Sequence, residues 1–143
     1  MSQHPMYLLD TNVISELRKQ QRANPGVQRF FSTAIAQNFT LYLSVVTIGE
    51  MRRGVDLIRY RGDTAQADRL EAWLQSIIRE FSDFILDFTI NEAQVWGNLR
   101  VPHPQNAIDK QLAATALTHG LILVTRNIQD FQDTGVVLLN PFR

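Results

Sequence analysis

Apolar positions along this chain follow two rhythms. Short apolar or β-branched runs occupy Met6–Asp10, Thr40–Val46, Phe84–Phe88, Leu121–Thr125 and Val136–Leu139, as expected of strands buried on both faces. Between them apolar residues recur every three or four positions, as on one face of a helix. Val13, Ile14 and Leu17 set a first helix starting at Thr11 or Asn12, and the polar stretch Gln20–Ala23 breaks it. Asn24 and Pro25 read as the N-cap and first residue of a second helix, with Val27, Phe30, Phe31 and Ile35 on its inner face. Thr47-Ile-Gly-Glu50 has capping-box spacing and is expected to open a third. Met51, Val55 and Ile58 face in there, and Arg52, Arg53, Arg59 and Arg61 face out. After Gly62-Asp63-Thr64 comes the clearest stripe: Leu70, Trp73, Leu74, Ile77, Ile78 and Phe81. Thr89-Ile-Asn-Glu92 repeats the box spacing ahead of Ala93, Trp96 and Leu99. Two prolines make Val101–Pro104 a loop. Asn106 is expected to cap a sixth helix running through Leu117 to Gly120, and Asn127–Phe131 a single helical turn. Strands alternating with helices give an α/β fold, a mostly parallel five-stranded sheet with helices on both faces.

Four carboxylates sit where such a fold makes them interesting. Asp10 ends the first strand; Glu50 and Asp109 follow Thr47 and Asn106 by three residues, and Asp130 follows Asn127 by three. Taken singly, each is explained as a helix cap or a first-turn acid favoured by the helix dipole. Taken together they share an edge. In an open parallel sheet of order 3-2-1-4-5, the helices that follow strands start at the carboxyl edge, and the crevice lies beside the first strand. Asp109 reaches that edge only if the Pro102–Pro104 loop carries its helix back to it. Glu92 has the same local signature as Glu50 but follows the outermost strand, so it is expected to be a plain cap. Carboxylates 4 Å apart repel by about 4 kcal/mol at an effective dielectric near 20, more than helix dipoles offset. Protons or a cation must compensate, and an all-oxygen site suits Mg²⁺ or Mn²⁺ rather than zinc.

Composition narrows the chemistry. The 143 residues contain no cysteine, which excludes disulfides, thiolate metal sites and a cysteine nucleophile. Lys and Arg total 14 against 14 Asp and Glu, so no bulk basic field draws in nucleic acid. The only lysines are Lys19 and Lys110, and local arginines are the available phosphate contacts. His4, His103 and His119 fall near loops or ends and are expected at the surface. Thr11 and Ser15 have no base partner in the pattern. The length suits one domain, and neither a signal peptide nor a membrane span is visible, which makes a prokaryotic cytoplasm the expectation.

Four stretches, in this order and spacing, resemble the PIN-domain family and within it the VapC-like toxins of toxin–antitoxin pairs. They are Leu8-Leu-Asp10-Thr-Asn-Val-Ile-Ser-Glu16, Ser44-Val-Val-Thr-Ile-Gly-Glu50, Ile108-Asp109-Lys-Gln-Leu-Ala-Ala-Thr-Ala116 and Val124-Thr125-Arg-Asn-Ile-Gln-Asp130-Phe131. The resemblance spans nearly the whole chain, a single domain over residues 1–143. It implies a three-layer fold with strand order 3-2-1-4-5 and a ribonuclease that leaves 5′-phosphates. It implies a Mg²⁺ or Mn²⁺ site built from Asp10, Glu50 and Asp109, with Asp130 a fourth acid nearer metal-bound water or substrate. Thr125 matches the hydroxyl that orients the site. Asn12 and Arg126 are candidates for organising the acids and touching phosphate. Lys110 and Gln111 stand where many relatives carry small or apolar residues; Lys110 is either a substrate contact or solvated. Implied partners are RNA, a cognate antitoxin, and operator DNA through the antitoxin complex. The two long helices over 47–81 exceed what a small sheet needs, so this arm is expected to support a homodimer and a groove for the antitoxin, whose arginine could enter the acid pocket.

Two rival readings remain. One keeps the fold but places the protein in a DNA-bound regulatory or plasmid-maintenance complex with little free nuclease activity. The other is a haloacid-dehalogenase-like phosphatase, which wants a second aspartate where this chain has Asn12. No Gly-x-Gly-x-x-Gly follows a strand, which argues against a dinucleotide-dependent oxidoreductase.

Overall fold

The structure, a computed structural model, describes residues 5–143; His4 lies outside them. Five parallel strands form one sheet in the order β3-β2-β1-β4-β5. They are β1 (Met6–Leu9), β2 (Thr40–Ser44), β3 (Ile85–Leu86), β4 (Ile122–Val124) and β5 (Leu138–Leu139). Each is shorter than its apolar run, because the flanking residues turn out of the ladder into loops and helix caps.

Side-chain alternation along β1 divides the core in two. Tyr7 and Leu9 pack on one face with Val13 and Ile14 of α1 (Thr11–Glu16), Val27 and Phe31 of α2 (Pro25–Ala36), Met51 and Val55 of α3 (Val45–Tyr60), and Leu74 and Ile77 of α4 (Thr64–Glu80). Leu8 points the other way, onto Leu112, Ala113 and Ala116 of α6 (Ala107–His119) and Phe131. Period-two alternation on a strand demands a cover on each side, and α5 (Ile90–Leu99) with α6 supplies the second. The stripe Leu70–Phe81 lies against the first core. Arg52 joins α3 to α4 through paired 2.6 Å bonds to Glu71.

Four local details differ from the sequence reading. Ile35, expected on the inner face of α2, is 80% exposed. The third helix starts at Val45, not at Thr47, because Ser44 Oγ accepts from Val46 N and caps it. Thr47 is therefore buried inside the helix, and Glu50 lies beyond its first turn. Asn106 stands at the start of α6 in a left-handed conformation, φ 58°, and its side chain makes no capping bond. The turn after β4 is a 3-10 segment that runs on to Thr134. Glu92 behaves as expected: it closes a capping box with Thr89 and receives His119 Nε2 at 2.8 Å.

Candidate metal and phosphodiester site

Asp10 is built into the junction of β1 and α1. Its backbone N–H continues the sheet by donating to Val124 O at 2.9 Å, while its carbonyl accepts from Val13 and Ile14. Its side chain caps α1, Oδ1 accepting from Thr11 N at 2.7 Å. Oδ2 accepts from Thr125 Oγ1 at 2.7 Å and from Asn12 Nδ2 at 3.4 Å. Thr125, at the end of β4, in turn receives Asn127 N at 3.0 Å. Asn12 Oδ1 holds Arg126 N at 3.2 Å, tying the two strand ends together a second time. Burial raises the Asp10 pKa above the usual carboxylate value, against the lowering pull of these hydrogen bonds, and Asp130 adds to the rise.

Glu50 comes from α3 and Asp109 from the first turn of α6. The loop before α6 is pinned where the sequence argument needed it. Trp96 Nε1 donates to Ala107 O at 3.0 Å, Arg100 Nε to Pro104 O at 3.3 Å, and Lys110 Nζ to His103 O. Asp10, Glu50 and Asp109 then line one cleft of about 300 Å³ with Thr11, Asn12 and Thr47. Desolvation, followed by Asp10, Asp130 and Glu50, pushes the Asp109 carboxyl up to about 6. Asp130 is exposed and lines the neighbouring cleft, close enough to act on both aspartates through charge.

The donor set suits a hard divalent cation: oxygen only, with excess negative charge. Thr47 Oγ1, buried and without a hydrogen-bond partner among the described residues, belongs to a residue of the same cleft. Among the described residues, no three carboxylate or imidazole groups are set closely enough to hold a metal ion as they stand. The acids face a common space without closing on it, the arrangement that uncompensated like charges favour.

Other expected residues fall elsewhere. Lys110 is buried against the loop, not solvated, and turns away from the acid cleft. The Arg126 guanidinium stacks on Phe142 at 4.2 Å and lines a pocket with Glu16 and Lys19. His103 is exposed, and His119 is half-exposed against Glu92. The hydroxyl that caps α3 is that of Ser44 and not of Thr47, and either could have opened the helix. A second, apolar groove of about 180 Å³ runs between α1, α3 and α4. It shares Thr11 and Glu50 with the acid cleft and is walled by Trp73 and Leu74.

A parallel sheet with this strand order and with carboxylates lining one cleft at its carboxyl edge defines an α/β protein with an acidic cleft beside its first strand. The PIN domain family pattern matches residues 7–137, and the chain belongs to the PIN-domain family. It is 35% identical to Toxin FitB of Neisseria gonorrhoeae, covering 96% of this chain and 99% of that one. It is 29% identical to VapC ribonuclease Y4jK of Sinorhizobium fredii, with 96% and 98% covered. The crystal structure of FitAcB from Neisseria gonorrhoeae superposes with a TM-score of 0.75 at 34% identity, over 95% of this chain and 98% of that chain. A structure of FitAB bound to an IR36 DNA fragment gives 0.76 at 32%, over 96% of each. Among the described residues no helix is long and apolar enough to cross a membrane.

Proposed function

We propose that this protein is the toxin of a toxin–antitoxin pair and a Mg²⁺- or Mn²⁺-dependent endoribonuclease. One observation carries the reading: Asp10, Glu50 and Asp109, from three separate elements, line a single cleft. Asp10 and Asp109 would hold the ion with Glu50, and Asp130 would contact water or substrate at the rim. When bound, the ion supplies a Lewis acid for the phosphoryl oxygen and an activated water. The chain's own part is positional. Thr125, Thr11 and Asn12 fix both oxygens of Asp10. Asp109, its carboxyl raised to about 6, gives up its proton at a higher pH than a free aspartate does, and a bound cation would favour the ionised form.

The antitoxin reading rests on the groove beside the acids. A partner segment lying on Trp73 and Leu74 would pass Glu50, and an arginine from it would neutralise the acid cluster. The α3–α4 arm, as part of a single domain, would also serve a homodimer. The FitAB–DNA structure favours operator binding by the complex. With a net charge of zero, this chain would reach DNA through its partner.

The test is to incubate the free protein with total cellular RNA, with and without Mg²⁺ or Mn²⁺, and to sequence the new ends. Metal-dependent 5′-phosphate ends, lost in Asp10→Asn and Glu50→Gln, are expected. Equal cleavage by both variants refutes the site. An inert free protein that co-purifies with an operator-binding partner favours the regulatory role.

A further inference from the structure

Next to the acid cleft, a larger cleft of about 570 Å³ opens between the 100–106 loop, the start of α6 and the turn after β4. Its walls include His103, Gln105, Asn106, Gln129, Asp130 and Asp133, all exposed, with Lys110 buried among them. Lys110 has one hydrogen bond, to His103 O, and among the described residues it forms no ion pair. An ammonium has three donors, and a buried one without a counter-charge is costly to keep. Asn106 adds a second anomaly. It occupies a helix N-cap, where asparagine usually bonds the first turn, yet its amide caps nothing.

Two carboxylates in the wall disfavour a phosphate group. A neutral ligand offering an acceptor to Lys110 and donors to a carboxylate fits the lining. Among the four RNA bases, guanine alone presents two adjacent donors, N1–H and N2–H, on its pairing edge, beside the O6 acceptor. Lysine is a favoured partner of guanine O6 and N7, and single-stranded RNA is read on such exposed edges. The helix geometry joins the two clefts: consecutive residues Asp109 and Lys110 face one cleft each.

We propose that this polar cleft holds a guanine base of the RNA strand next to the scissile phosphate, with Lys110 at O6 and Asp133 at N1–H and N2–H. The proposal rests on the nuclease reading for its substrate class and makes Asp133, Lys110 and Gln129 specificity residues.

Two measurements test it on the whole protein. The first is fluorescence anisotropy in chelator, where the withheld ion prevents cleavage, with RNA heptamers carrying one central guanosine, inosine or adenosine. Guanosine is expected to bind at least tenfold tighter than inosine, which lacks the N2 amino group, or adenosine. Asp133→Asn should erase the guanosine–inosine difference, and Gln129→Ala, an exposed change, should reduce it. Equal binding of all three heptamers, or full discrimination retained by Asp133→Asn, overturns the proposal. The second is end sequencing of a random-sequence RNA pool cut in Mg²⁺. Guanine enriched at one fixed distance from the cut, and depleted there at least tenfold in Asp133→Asn, is expected. Cleavage with no base preference sinks the cleft while leaving the nuclease reading intact. Discrimination in binding with no cleavage does the reverse.

Discussion

Thr125 Oγ1 donates to Asp10 Oδ2 across 2.7 Å, joining the ends of β4 and β1 from positions 115 residues apart. Thr125 is fully buried and Asp10 nearly so. The hydroxyl therefore does two things: it lowers the Asp10 pKa against burial and fixes the carboxylate plane. Thr125→Val keeps the shape and removes the donor. Losing a hydrogen bond to a buried charged group costs about 1–3 kcal/mol. Urea unfolding should show that loss in Thr125→Val and little of it in Thr125→Ser. RNA cleavage should fall at least tenfold in the valine variant and recover in the serine one. Equal activity in both would assign Thr125 to packing alone.

What could be read from the sequence follows the physics of each signal. The strands were visible because double-sided burial demands unbroken apolar runs, and α4 because its stripe has period. The acids were visible because carboxylates at strand ends and helix starts have few roles. The start of α3 was not: Ser44 and Thr47 are both good caps three residues apart, and only the strand's exit decides between them. Lys110 is buried where a lysine is usually solvated, and that burial depends on a loop carbonyl no pattern announces. The polar cleft was invisible for a related reason, since Gln105, Asn106 and Gln129 show no periodicity. Glu50 and Glu92 share one signature, and only their strands' places in the sheet part them.

Glu92 is expected to matter for stability and not for cleavage. It is 2% exposed. Burial raises its pKa, but hydrogen bonds from Thr89, its own backbone and His119 outweigh this and hold it down to about 2. With a folded pKa below its unfolded value, its contribution is present above pH 4.5 and lost as pH falls toward 2. Glu92→Gln should lower stability at pH 7 by about 1–2 kcal/mol. The gap from wild type should narrow in acid, and the cleavage rate at 25 °C should be unchanged. A selective loss of cleavage in a folded Glu92→Gln protein would count against its placement outside the site.

Gly26 sets helix propensity against packing. It lies in the first turn of α2, where alanine is favoured by about 1 kcal/mol. A Cβ there would lie 2.0 Å from Pro141 O and 2.7 Å from Arg143 Cγ. The same C-terminal segment is bonded to the Asn24 side chain at 2.9 and 3.0 Å. Overpacking of this kind costs about 1–3 kcal/mol, so Gly26→Ala should lower Tm. In a chain lacking Pro141–Arg143 the same change should raise Tm, because only propensity is left. Stabilisation by Gly26→Ala in the full chain would contradict the close approach.

Asp109 ties the electrostatics of the cleft to a measurement made without RNA. Its carboxyl is raised from 3.8 to about 6 by burial and by Asp10, Asp130 and Glu50. The folded state thus holds this proton more tightly than the unfolded state does. Its ionisation weakens the fold as pH rises through that window: the penalty is absent below pH 3.8 and complete above 6. The side chain is half-exposed, so solvent screening leaves about 1 kcal/mol. In chelator, Asp109→Asn should match wild type near pH 4 and become the more stable protein by pH 7. Mg²⁺ should then stabilise wild type and leave the variant nearly unmoved, since a ligand that binds only the folded state raises its stability in proportion to its affinity. A difference between the two proteins that does not change with pH would mean that the acids are not crowded. Equal stabilisation of both by Mg²⁺ would mean that the ion sits elsewhere.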